Sequence, residues 1–254
     1  MPHTAPLSHP RFDAIISDID GCLGPESHAP MNADALARIA AWNRRAVERR
    51  DLPVLTLCSG RPQPYAEAMC RVLANSAVPC VAEMGVWLYD PRDNRFIIDP
   101  AITPSDLRTI RDCTAWIEHE LLPRGVVIQP GKTASISLWH PDTAFLLSLK
   151  PTIAARIASE AWNLRLSNTV AWLNLELTHV SKATGVERLM SMMGYQKARL
   201  AGIGDTMGDM AIREHVAWFA CPRNAAEGLK RVADFVSPHA EVEGVEDVLR
   251  TIAA

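Results

Sequence analysis

Two carboxylates separated by a single residue, Asp18 and Asp20, leave the apolar run Phe12-Asp13-Ala14-Ile15-Ile16-Ser17 and are followed at once by Gly21. Residues two apart in an extended segment face the same side, so both acids can address one pocket, and Gly21 turns the backbone without a Cβ penalty. The plainer reading is a strand that ends in an acidic turn. A second acidic pair follows the apolar segment Ala198-Arg199-Leu200-Ala201-Gly202-Ile203: Asp205 and Asp209 in Gly204-Asp205-Thr206-Met207-Gly208-Asp209. Spaced four apart, they project to neighbouring positions if a helix begins between them. Asp205 alone reads as a helix N-cap, which leaves Asp209 and the earlier pair unexplained. Ser59-Gly60-Arg61-Pro62 closes a third apolar run, Leu52 to Cys58, and Lys182 follows a fourth, Leu175 to Val180. Taken singly, Ser59 reads equally as a turn serine and Lys182 as a solvated lysine.

The elements that must position these residues alternate in type. After the Asp18 strand, Leu36, Ile39, Ala40 and Val47 share one face of a helix predicted over Asn32–Arg50. A strand at Leu52–Cys58, a helix at Pro64–Leu73 and a strand at Val78–Ala82 follow. This order predicts an α/β fold with a doubly wound parallel sheet. Ligands bind beyond the carboxyl ends of the strands in such sheets, where Asp18, Asp20, Ser59 and Glu83 fall. From Trp87 to Thr178 the strands become short and alternate in polarity: Arg95–Ile98, Gly125–Gln129, Ala134–Trp139, Leu164–Ser167 and Trp172–Glu176. Helices at Ser105–Leu122 and Thr143–Trp162 interrupt them. Alternation such as Ser135-Ile136-Ser137-Leu138-Trp139 predicts a sheet with one wet face. The expected organisation is a core of residues 1–86 and 179–254, with an α+β domain of residues 87–178 inserted into it. The core pattern resumes with a helix at Ala183–Met193.

Asp18-x-Asp20-Gly21, Ser59-Gly60-Arg61-Pro62, Ser181-Lys182 and Gly204-Asp205-x-x-x-Asp209, in this order and each at a strand end, resemble the four motifs of the haloacid dehalogenase (HAD) superfamily. The resemblance spans almost the whole chain. The insertion between the second and third motifs is similar to the cap of the Cof-type branch, which includes sugar-phosphate, sucrose-phosphate, mannosyl-phosphoglycerate and phosphoglycolate phosphatases. The tail, Pro222-Arg223-Asn224-Ala225, Ala233-Asp234-Phe235-Val236 and Gly244-Val245, is also similar to that branch. The resemblance implies a phosphatase acting on a small soluble phosphate ester, with Asp18 as nucleophile and Asp20 as general acid and then base. It implies Ser59, Gly60 and Lys182 on the phosphoryl group, and magnesium held by Asp18, the Asp20 carbonyl and Asp205, with Asp209 as ligand or as holder of bound water. Cap residues Lys132, Thr133 and Ser135 stand as specificity candidates. Arg61 stands either to reach substrate or to pair with Glu83. Two departures from the pattern occur, Met84 where that branch usually has Asn, and Gly208 where Asn commonly precedes the last aspartate. A phosphomutase of the same fold stays open as an alternative. A receiver-like phospho-switch fits less well, because receivers lack a cap and a late acidic pair.

Composition narrows the classes. With 254 residues, a formal net charge of −3 and 48% hydrophobic residues, the chain is an ordinary globular protein with no polybasic footprint for nucleic acid or an anionic membrane. Arg44, Arg45, Arg49 and Arg50 are interleaved with Glu48 and Asp51 and read as a solvated helix end. Gly131-Lys132-Thr133 is no P-loop, since Gly125 is one residue too distant and a strand follows. The six cysteines show no zinc spacing. Met1–Pro10 lacks the apolar stretch of a signal peptide, and no run of about eighteen apolar residues is present to cross a membrane. A reducing cytoplasm is the expected location. Trp116, Trp139, Trp162 and Trp172 are expected to pack the inserted domain's core rather than line a site.

Overall fold

A computed structural model describes residues 10–26 and 28–254. Residues 1–9, which carry nearly all of the segment judged above not to be a signal peptide, lie outside the described residues. The chain begins with β1 (Ala14–Ser17), α1 (Ala33–Arg49), β2 (Val54–Leu57), α2 (Gln63–Val72) and β3 (Cys80–Ala82). It continues through β4 (Trp87–Asp90), β5 (Arg95–Ile98), α3 (Pro104–Glu120), β6 (Val127–Ile128), β7 (Ser135–Trp139), α4 (Thr143–Ser148), α5 (Lys150–Ser159), β8 (Leu164–Asn168) and β9 (Leu173–Leu177). It ends with α6 (Lys182–Met193), β10 (Leu200–Ile203), α7 (Met210–Arg213), β11 (Trp218–Cys221), α8 (Glu227–Lys230), β12 (Phe235–Val236) and α9 (Glu241–Ala253). No helix is long and apolar enough to cross a membrane among the described residues.

The parallel sheet runs in the order β12-β11-β10-β1-β2. All four residues of β1, β2 and β10 are buried, as expected of strands covered on both faces. One face packs against α1, α2 and α9 through Ile39, Cys70 and Val245; the other packs against α6, α7 and α8 through Val186, Ile212 and Leu229. Because β1 lies between β2 and β10, the chain reverses its direction of travel across the sheet there, and a crevice opens at the strands' carboxyl ends. Val86 and buried residues from Ile110 to Val180 form a separate apolar cluster against an antiparallel sheet, β6-β7-β9-β8, whereas Leu88 and Tyr89 of β4 pack into the core clusters. The protein is therefore an α/β core with an α+β cap.

Two predicted elements differ. Val78–Ala82, expected as the next parallel strand, contributes β3 to a three-stranded sheet β3-β4-β5, antiparallel to β4. Instead of a full parallel ladder it meets the end of β2 through the Cys58–Val81 parallel bridge, the Ser59 N–H donating to the Val81 carbonyl at 3.0 Å, and the Thr56 hydroxyl donating to the Pro79 carbonyl at 2.7 Å. The cause is the turn that follows: Glu83, Met84 and Gly85 all have positive φ and send the chain straight back as β4. The single helix expected over Thr143–Trp162 is split into α4 and α5 at Lys150-Pro151. Pro151 lacks the N–H that a helix interior requires and suits a first turn instead.

Gly85 is where the two passages between core and cap touch. Its φ is 101°, and a Cβ there would stand 2.0 Å from the Ser181 carbonyl oxygen, just ahead of α6. Gly85→Ala is therefore expected to lower folding stability by about 3 kcal/mol or more. Urea unfolding of the two proteins checks this; an unchanged midpoint would show that the crossing tolerates a side chain.

Candidate active site

The floor is built at the ends of β1, β2 and β10. Asp18 follows β1, its N–H donating to the Ile203 carbonyl at 3.0 Å, and its Oδ1 accepts the Ile19 N–H at 2.8 Å. Lys182, the first residue of α6, donates from Nζ to Asp18 Oδ2 at 2.8 Å and to Asp209 Oδ1 at 2.7 Å. The helix start is set by a capping box in which Ser181 and Thr184 exchange hydrogen bonds, so the lysine leaves the first turn toward the sheet end. Asp209 is fully buried. Its Oδ2 accepts the N–H groups of Asp205 and Thr206, each at 3.0 Å, and so holds the loop that carries Asp205.

Gly21 has a φ of +72°, and a Cβ on it would lie 2.0 Å from Asp205 Oδ2. The Asp205 carboxylate thus rests in space that only glycine leaves free. Asn224, from the tail, donates to the Gly21 carbonyl at 2.8 Å and fixes that turn. Asp18, Asp205 and Asp209 each bring a carboxylate oxygen within 4.8 Å of the others, all buried. Burial, reinforced by the neighbouring carboxylates, pushes Asp18 up to about 7 and Asp205 up to about 8. Burial works against the Lys182 charge, but Asp18 and Asp209 outweigh it and hold the ammonium well above its ordinary value. Three carboxylates facing one ammonium leave an excess of buried negative charge. An all-oxygen set with that excess fits a hard divalent cation, and the cradle at Gly21 fits a carboxylate held as a ligand.

Asp20 lies above this cluster, gripped in a two-pronged ion pair by Arg61, whose Nε donates to Asp20 Oδ2 at 2.8 Å while Nη2 donates to Oδ1. Arg61 also lies over the Tyr65 ring, 5.1 Å from its centroid. Ser59 is buried, and its Oγ accepts the Arg61 N–H at 3.2 Å, leaving its own hydrogen to point elsewhere.

A cavity of about 420 Å³ separates this floor from a roof made by the cap, a volume in the range of small-molecule sites. The roof is the polar face of the β6-β7-β9-β8 sheet. In register, Ser137 faces Asn174 and Glu176 faces Arg165. Ser137 Oγ donates to Asn174 Oδ1, and Arg165 Nε donates to Glu176 Oε2 at 2.8 Å. Lys132 enters from the loop before β7; burial pulls its ammonium down to about 8 against the opposing pull of Glu83 and Glu176. On one side Glu26, in the loop after β1, and Thr169, in the β8–β9 turn, both line the cavity, and burial pushes the Glu26 carboxyl up.

Of the residues singled out from sequence, Asp18, Asp20, Ser59, Gly60, Arg61, Lys132 and Lys182 line this one cavity, with Asp205 and Asp209 completing the acidic cluster beside it. Thr133 and Ser135 do not line it. The Thr133 and Ala134 N–H groups donate to Glu83 Oε1 at 2.7 Å, and Ser135 Oγ does so at 3.0 Å. Glu83 is thus a clamp on the cap loop rather than a member of the crevice; the Arg61 guanidinium pairs with the Asp20 carboxylate and not with that of Glu83, whose N–H donates to the Arg61 carbonyl at 2.8 Å. Trp172 lines the cavity instead of the cap core, where Trp116 and Trp162 do pack; Trp139 is exposed. Arg165, Asn174, Glu176 and Glu26 were not singled out. The alternating polar positions of β8 and β9 carried the signal for the first three, since a wet face that meets another domain forms a wall of the space between them.

Residues 152–249 match the family model for haloacid dehalogenase-like hydrolases. Over 240 residues the chain is 35% identical to a phosphoglycolate phosphatase of Sulfolobus acidocaldarius, covering 94% of this chain and 95% of that protein. Among solved structures, the Thermoplasma acidophilum protein 0175 superposes with a TM-score of 0.72 at 18% identity, covering 95% of this chain and 98% of that one. A HAD/COF-like hydrolase from Plasmodium vivax superposes with a TM-score of 0.70 at 15% identity, covering 97% and 96% respectively.

The raised carboxyls have a measurable consequence. In chelator, the folded protein retains protons on Asp18 and Asp205 that the unfolded chain has released, so stability is expected to fall as pH rises from about 5 to about 8. A saturating hard divalent cation is expected to raise the melting temperature more at the upper end of that range, where carboxylates bind it without losing protons. Melts with chelator and with added divalent cation at the two pH values check this; a cation effect independent of pH would contradict it.

Proposed function

We propose that this chain, which belongs to the Cof-type branch of the haloacid dehalogenase superfamily of phosphatases, is a magnesium-dependent hydrolase of a small phosphomonoester, a sugar phosphate or a phosphoglycolate-like ester, working through an aspartyl-phosphate. The observation that carries the reading is the division of labour between the two opening acids. Asp18 is buried against Lys182, whereas Asp20 stands in the cavity, held by Arg61.

In this reading an Asp18 carboxylate oxygen attacks phosphorus, and the bond from phosphorus to the ester oxygen breaks. Asp20 gives its proton to that leaving oxygen and then takes one from the water that cleaves the aspartyl-phosphate, releasing inorganic phosphate. To act as acid Asp20 takes up a proton on one oxygen and gives up one prong of the Arg61 pair, while the other prong holds it over the reacting centre; as base in the second step it is again the carboxylate. The Ser59 hydroxyl, its lone pair engaged by the Arg61 amide, donates to a phosphoryl oxygen together with the Gly60 amide. Lys182 places a fixed positive charge between nucleophile and phosphate, so that two anions can approach. Asp18, the Asp20 carbonyl and Asp205 would hold magnesium, with Asp209 fixing the Asp205 loop. The ion supplies charge neutralisation of the phosphoryl oxygens. The cap over the cavity keeps bulk water from the first step.

Phosphate release from an aryl phosphate tests the reading. Asp18→Asn is expected to reduce kcat by at least about a thousandfold, and Asp20→Asn by about a hundredfold to ten-thousandfold. Chelation is expected to abolish turnover, with recovery on adding magnesium. Activity that survives Asp18→Asn, or that ignores chelator, would refute it.

A further inference from the structure

Four cations line the cavity, and three of them are already matched. Lys182 is bound to Asp18 and Asp209, and Arg61 is bound to Asp20. Arg165 is bound to Glu176 and to the carbonyls of Leu177, Thr178 and Val180, which uses four of its five N–H donors. Lys132 alone of the four has no carboxylate in salt-bridge contact among the described residues. Its Nζ donates to Ser137 Oγ, whose own hydrogen goes on to Asn174 Oδ1, and an ammonium has three N–H donors.

The lysine is also firmly placed. Glu83 Oε1 holds the two amides and the hydroxyl of Thr133, Ala134 and Ser135 immediately after it, and Glu83 itself is fully buried. A half-buried cation on a clamped loop, facing a cavity with no carboxylate in salt-bridge contact and only the more distant pull of Glu83, Glu176 and Asp20, is a site for an anion that arrives with a ligand. One ammonium suits one negative charge. A dianion would meet a single cation there, with the carboxylate of Glu176 also in the roof.

We propose that Lys132, anchored by Glu83 through residues 133–135 and oriented by Ser137 and Asn174, binds a carboxylate on the alcohol part of the substrate, so that carboxylate-bearing phosphate esters are preferred over neutral ones. The proposal rests on the phosphatase reading above and adds the substrate class to it. Lys132 then acts on binding of the leaving group rather than on the bond that breaks.

The test compares 2-phosphoglycolate, ethyl phosphate and the bisphosphate of 1,2-ethanediol as substrates of the parent, Lys132→Met and Lys132→Arg. Lys132→Met is expected to raise KM for 2-phosphoglycolate about tenfold to a hundredfold, with kcat and the ethyl phosphate kinetics changed by less than about threefold. Lys132→Arg is expected to restore most of the affinity. Equal effects on 2-phosphoglycolate and ethyl phosphate, or no effect on either, would overturn the assignment. A parent that prefers the bisphosphate, and loses that preference in Lys132→Met, would overturn the carboxylate in favour of a second phosphate. A parent that hydrolyses none of the three and also leaves the aryl phosphate intact would refute the phosphatase reading by itself. Calorimetric binding of 2-phosphoglycolate to the parent and Lys132→Met, with magnesium, would then decide the subsite: weaker binding to the variant upholds it and equal affinity overturns it.

Discussion

The Lys182 ammonium, in contact with Asp18 and Asp209 at once, is the interaction on which the rest of the site depends. Buried carboxylates repel one another and lose their hydration, and a buried cation loses its own. Neither group is tolerable alone at this depth. Together they convert a costly set of charges into a charged floor, and the remaining negative excess at Asp18 and Asp205 is what makes the cluster a place for a divalent cation. The constraint extends outward: Lys182 must start α6, Asp209 must hold the Asp205 loop, and Gly21 must have no side chain because Asp205 fills that space.

The parallel sheet makes such convergence possible. Residues more than 160 positions apart in the chain, such as Asp18 and Lys182, meet because parallel strands bring their carboxyl ends to one edge, and because β1 sits at the switch in strand order. Apolar strands buried on both faces supply the rigidity, and the loops at their ends carry the chemistry. The cap adds the opposite wall. Its sheet keeps one face dry against its own apolar cluster and turns the other toward the floor, so its polar residues become a lining rather than a solvated surface.

Most of the core was legible from local rules. Apolar runs ending in Asp18, Ser59 and Asp205 announce buried strands with functional ends, and the return of helical periodicity after each announces crossovers. The change to polar alternation after Trp87 marks the cap. The misreadings occurred where a distant partner overrides local preference. Val78–Ala82 looks like one more buried parallel strand, yet the left-handed turn at Glu83–Gly85 makes it pair with β4. Glu83 falls at a strand end like the functional acids, yet three donors from the cap loop capture it. Trp172 has the character of a core residue, yet it comes one position before β9, where the chain faces the cavity.

The sequence by itself determined which groups stand at the ends of the core strands, that the sheet would be parallel, and that an α+β segment would interrupt it. These follow from short-range spacing: the period of two in strands, the 3.6-residue repeat of helices, and the turn residues that separate them. Tertiary structure alone decided who pairs with whom. That Arg61 grips Asp20 and not Glu83, that Glu83 clamps the loop after Lys132, and that Lys132 is the cation left facing the cavity without an acid in contact all depend on which side chains meet across the core and cap interface. Charge pairing acts over a few ångströms in space and is indifferent to separation along the chain, so no local pattern encodes it.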